Sequence, residues 1–77
     1  MTHEKFMEKS RLLVADATGM DVEDVYTVWS VKAADNSKAL MGARNSGSYF
    51  EITLRGAKNR IYFDRYIQNS HTTIEIK

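Results

Sequence analysis

The sequence predicts an α+β fold, one N-terminal helix packed on an antiparallel meander sheet of four to five strands, and three observations carry that expectation. Apolar residues recur at helical spacing near the start, the period then changes to two, and the strands so marked are separated by turns of three or four residues. A parallel connection needs a crossover of about a dozen residues or more, so these strands are expected to be antiparallel neighbours. With 77 residues, no proline, no low-complexity run and no internal repeat, there is room for one domain over residues 1–77 and no sign of a linker.

The helix is expected over residues 3–17. Thr2 can cap its N-terminus, Glu4 places an acid in the first turn where the helix dipole favours one, and Gly19 can end it in the left-handed conformation. Phe6, Leu13 and Ala17, joined by Ser10 and flanked by Met7 and Val14, form its apolar stripe and leave Glu8, Lys9 and Arg11 to solvent. After it, MDVED can add a short turn capped by Asp21. VYTVWSVKA (residues 25–33), KALMGAR (38–44), SYFEITLR (48–55) and RIYFDRYI (60–67) then read as strands, and TTIEI (72–76) as a final short strand or edge segment. ADNS, NSG, GAKN and QNSH supply the turns between them.

Strict alternation sorts these strands into two faces. Trp29 with Val25, Thr27 and Val31, then Phe50, Ile52 and Leu54, then Ile61, Phe63 and Ile67, form the set expected under the helix. The core is accordingly placed on Trp29, Phe50, Ile52, Phe63, Phe6 and Leu13. The opposite phase holds Tyr26, Val28, Ser30 and Lys32, then Tyr49, Glu51, Thr53 and Arg55, then Tyr62, Asp64 and Tyr66, so all four tyrosines fall on the face the helix leaves open.

Several function classes find no support. There is no cysteine, hence no disulfide and no thiolate site, and His3 and His71 lie too far apart in sequence for a local metal motif. The polar start MTHEKFMEKS lacks the apolar run of a secretory leader, and no stretch approaches a membrane span, so a cytoplasmic protein is expected. A Gly-rich phosphate loop, HExxH and GxSxG are all missing, and no cofactor is expected. Glu51 and Asp64 share a face and could pair for acid and base work, but Lys32, Arg55 and Arg60 are at hand as cross-strand partners. Structural pairing is the expectation, and no enzyme is read here.

The tyrosines are the feature that suggests function. Tyrosine joins broad apolar area to a hydroxyl that tolerates water, which suits an interface, although it also favours strands with no partner at all. The expected contact face is Tyr26, Tyr49, Tyr62 and Tyr66, with Arg55, Lys58 and Arg60 as its charged rim, and self-pairing into a homodimer is one way of using it. A single-stranded nucleic acid is the alternative occupant, since Arg44 and the rim cations stand near stacking aromatics. Against it, the net charge is only +1, no RNP motif occurs, and Glu51 and Asp64 place negative charge on the same face.

Four segments together resemble a family. Val25, Tyr26, Val28 and Trp29, then Lys38 to Leu40, then Tyr49 to Thr53, then Tyr62, Asp64 and Tyr66, with the helical start EKFMEKSRLLVAD, are similar to a domain of unknown function in small proteins of phages and prophages of Gram-positive bacteria. What the resemblance implies is context: a short accessory product made inside the host cell, binding and disabling one host or defence protein in the manner of anti-restriction or anti-CRISPR factors.

Overall fold

The computed structural model describes residues 1–76. Helix α1 spans His3–Thr18 and is closed at both ends by the residues its sequence offers. The Thr2 hydroxyl accepts a hydrogen bond from the Lys5 amide at 3.1 Å, and Gly19, at φ 71°, donates its amide to the Ala15 carbonyl. A single 3-10 turn, Val22–Asp24, leads into a sheet of β1 (Val25–Ala33), β2 (Asn36–Ala43), β3 (Ser48–Arg55) and β4 (Arg60–Ile67), with a second 3-10 turn, Gly56–Lys58, before β4. The strands pair in sequence order, all antiparallel, as the short turns require. Residues 68–76 form no strand, so the sheet has four strands, the lower of the two expected numbers, and residues 72–76 add none.

α1 packs on β1, β2 and β3, most closely on β2. The helix-facing residues of β2 explain that approach: Ser37, Ala39, Met41 and Ala43 are all buried, and three of the four are small. Phe6 and Val14 from the helix, with Met41, Phe50, Ile52 and Leu54 from the sheet, fill the space between the layers. His3 adds a polar tie at the start of the helix, its Nδ1 lying 3.0 Å from the Ser37 hydroxyl.

The buried line on α1 differs from the expected one. Phe6, Ser10, Val14 and Ala15 are buried, Leu13 is half-buried, and Ala17 is exposed. An i, i+4 row rotates by roughly 40° per step around a helix of 3.6 residues per turn. The line through Phe6 and Ser10 therefore ends on Val14 and Ala15 instead of Leu13 and Ala17.

β1 departs further. Thr27 pairs with Met41 but Trp29 pairs with Leu40, which leaves Val28 as an extra residue in a β-bulge. One extra residue inverts the period-two phase for everything after it. Val25 and Thr27 share the helix side with Ala43 and Met41, whereas Trp29 and Val31 join Leu40 and Lys38 on the open side. Trp29 is thus no core residue but a half-exposed one, and Ser30 and Lys32 turn to the helix side instead.

In β4 the phase is as expected and the burial is not. Ile61, Phe63 and Ile67 point to the helix side, yet this edge strand lies beside the helix contact, and only Ile61 packs partly into the core. Phe63 stacks on Phe50 with ring centres 5.1 Å apart and stays 37% exposed, while Ile67 is exposed at 70%. Arg65 covers part of the gap, its guanidinium 5.5 Å from the Phe50 ring centre and its Nε donating to the Ser48 hydroxyl at 3.2 Å.

The first hairpin turn docks on the last. The Gly56 amide donates to Asn36 Oδ1 at 3.2 Å, and a Cβ at Gly56 would overlap the Asp35 carbonyl oxygen. That contact ties the two turns at one end of the sheet, where β2 starts at Asn36, two residues earlier than its sequence suggests.

Candidate functional site

The open face of the sheet is laid out by the pairing register as rows running across the strands. The first row is Tyr26, Gly42, Tyr49 and Tyr66; the second is Trp29, Leu40, Glu51 and Asp64; the third is Val31, Lys38, Thr53 and Tyr62. Beyond them, Arg55 and Arg60 stand opposite each other beside the Gly56–Lys58 turn, which supplies Lys58. All four tyrosines are on this face, as expected. Tyr26, Tyr49 and Tyr66 form one row, and Tyr62 is separate from them, sharing a shallow hollow with Arg55, Lys58 and Asp64.

The tyrosine row depends on Gly42. A Cβ at that position would come within 2.6 Å of the Tyr26 hydroxyl, so the Tyr26 ring lies across the bare backbone of β2 toward Tyr49. The hydroxyl of Tyr26 titrates above its ordinary 10.0, first through side-chain hydrogen bonding with Tyr49, then through desolvation and the field of that second phenol. The row of three tyrosines thus spans all four strands, where a side chain on β2 would interrupt it.

Charge on the face is ordered. Lys38 Nζ sits 3.0 Å from Glu51 Oε1, so the lysine of β2 partners Glu51 instead of the expected Lys32, Arg55 or Arg60. Lys32 has gone to the helix side with the bulge and donates to the Ala34 carbonyl at 3.2 Å. Two like-charged pairs stand directly opposite across β3 and β4, Glu51 with Asp64 and Arg55 with Arg60. Such pairs weaken a sheet by a few tenths of a kcal/mol to about 1 kcal/mol. Among the described residues neither Asp64, Arg55 nor Arg60 has an ion-pair partner.

The register also adds members that periodicity did not offer: Trp29, Val31, Leu40 and Lys38. For Trp29 and Val31 the local signal points the other way, because unbroken alternation sorts apolar Val25, Trp29 and Val31 from polar Ser30 and Lys32 and gives no sign of the bulge. Arg44 lies at the tyrosine end, just past Ala43, so it is separated from Arg55 and Arg60 by the length of the sheet, about 25 Å for eight residues. Among the described residues no group of three or more His, Cys, Asp or Glu could hold a metal, and no helix is long and apolar enough to cross a membrane.

A family model matches residues 2–76, nearly the whole chain. The chain belongs to the family of unknown function DUF6275. No curated protein and no solved structure matches this DUF6275 chain, so the arrangement of its open face is the ground for a functional reading.

Proposed function

We propose that this DUF6275 chain is a non-enzymatic protein-binding module whose contact surface is the open face of the sheet. One observation carries the reading: Trp29, Tyr26, Tyr49, Tyr62 and Tyr66 lie on one face, between 40% and 53% exposed, with Val31 and Leu40 among them. Trp, Tyr and Arg are the residues that dominate binding energy at protein interfaces, and a rim of Arg55, Lys58 and Arg60 beside an aromatic centre fits that anatomy. The resemblance to phage and prophage products makes a host or defence protein in the host cytoplasm the proposed target, disabled by occupation of its surface.

Single-stranded nucleic acid is the second reading, supported by the cations beside Tyr62. It is weaker because the basic residues stand at opposite ends of the face, with Glu51 and Asp64 between them where a phosphate backbone would pass.

The test is affinity capture from host lysate, nuclease-treated throughout, with the wild type and a Tyr49→Ala, Tyr62→Ala variant shown to be folded. One protein retained by the wild type and lost by the variant is the expected result. Capture that disappears with nuclease transfers the assignment to nucleic acid.

A further inference from the structure

We infer that, when no foreign protein occupies it, the open face is closed by a second copy of the same chain, each strand lying antiparallel over its own counterpart. The inference rests on the reading of that face as a protein-contact surface, and it names the occupant in the resting state.

Aligned strands leave two directions for the symmetry axis. Two identical sheets packed face to face are related by a two-fold axis lying in the plane between them. With the axis along the strands, each row meets itself with strand order reversed: Trp29 lands on Asp64, Leu40 on Glu51, and the arginine end on Ala33 and Asn36. That packing buries both acids against apolar side chains and gives the cations no counterpart, which is costly.

With the axis across the strands, between the second and third rows, the same residues become complementary. Trp29 meets Val31 of the second copy, and the Lys38 and Glu51 pairs of the two copies come together around the axis. Tyr66 and Tyr49 lie beneath Arg60 and Arg55 of the second copy, the arrangement of a cation over an aromatic ring. Asp64 faces Tyr62 of the second copy, whose neighbour two residues back is Arg60, so an acid and a cation that have no ion-pair partner among the described residues are brought within side-chain reach. The area is sufficient: four strands about 4.8 Å apart and about 25 Å long present a footprint of roughly 500 Å² per copy, or about 1,000 Å² in total, the lower bound for a specific interface. Binding of a foreign protein then competes with self-association, and its apparent affinity falls as the chain becomes more concentrated.

The experiment is sedimentation equilibrium of the full chain with Arg60→Glu, Asp64→Arg and the double reversal. Each single reversal removes a like-charge pair within the monomer, Arg55 with Arg60 or Glu51 with Asp64, so loss of fold is not the expected outcome, and circular dichroism checks it. The wild type is expected to dimerise in the micromolar range, each single reversal to weaken the dimer about tenfold, and the double reversal to bind more tightly than either single one while staying weaker than the wild type, because Arg60→Glu also removes the cation over Tyr66. A wild type that stays monomeric up to about 500 µM overturns the dimer and leaves the contact-surface reading to the capture experiment. A dimer indifferent to the single reversals, or one that the double reversal leaves no tighter than either single reversal, overturns this packing.

Discussion

The two inner strands and the edge strand β1 obey the same sequence rule with opposite results. On β3 the alternation Phe50, Ile52, Leu54 against Tyr49, Glu51, Thr53 sorts residues into buried and open faces, and β2 does the same with small residues under the helix. On β1 an equally clean alternation breaks at Val28, and its largest apolar side chain, Trp29, goes to the open face. An inner strand is held by a neighbour on each side, so an extra residue would disturb two ladders, whereas an edge strand disturbs only one. The edge is therefore where the chain could place an irregularity and turn a would-be core residue into a surface one.

The sharpest way to break this comparison is to truncate one aromatic on each side of it. Phe50→Ala empties a fully buried site and is expected to cost about 3–5 kcal/mol in denaturant unfolding, a large share of the stability of so small a domain. Trp29→Ala, at a 41% exposed site, is expected to cost about 1 kcal/mol. Equal losses would place Trp29 in the core and mean that β1 has no bulge at Val28.

A smaller effect concerns the helix layer. Ser10 is fully buried and, among the described residues, its hydroxyl has no hydrogen-bond partner. Ser10→Ala removes that unmet group and substitutes the best helix former, so thermal unfolding is expected to move up by an amount equivalent to about 1 kcal/mol. A lowered midpoint would mean that the hydroxyl has a role the static packing does not reveal.

Deleting Val28 sharpens the comparison directly. In the observed register the deletion leaves Thr27 opposite Met41 and Trp29 opposite Leu40 in a regular ladder, so the faces are unchanged. Acrylamide quenching of the single tryptophan is expected to stay as efficient as in the wild type. Under strict alternation the same deletion would invert the phase after residue 27 and change that quenching.

The smallest expected effect is at high pH. The Tyr26 pKa is raised in the folded chain, so the neutral phenol is the form that folding favours. That contribution is fully present below the unfolded value near 10 and is lost as pH rises through the higher folded value. Tyr26→Phe is expected to flatten the alkaline decline slightly, read as the pH dependence of the unfolding midpoint.

Much of the fold was legible locally. The spans of β1, β3 and β4, the helix to within one residue, its caps, and the antiparallel order all follow from period, turn residues and turn length. So does the placement of the four tyrosines on one open face, because Tyr26 precedes the bulge and the other three lie on regular strands.

What only the tertiary structure decided are facts about pairs distant in sequence. Whether Val28 is accommodated depends on Leu40 and Met41 across the ladder, and whether Phe63 is covered depends on where a helix of sixteen residues comes to rest. The pairing of Glu51 with Lys38, the ring of Tyr26 lying over Gly42, and the separation of Arg44 from Arg55 and Arg60 likewise require the register. Period and turn chemistry are properties of neighbouring residues and can be read along the chain. Burial and charge pairing are properties of the packed layers, and no local pattern encodes which edge the helix leaves uncovered.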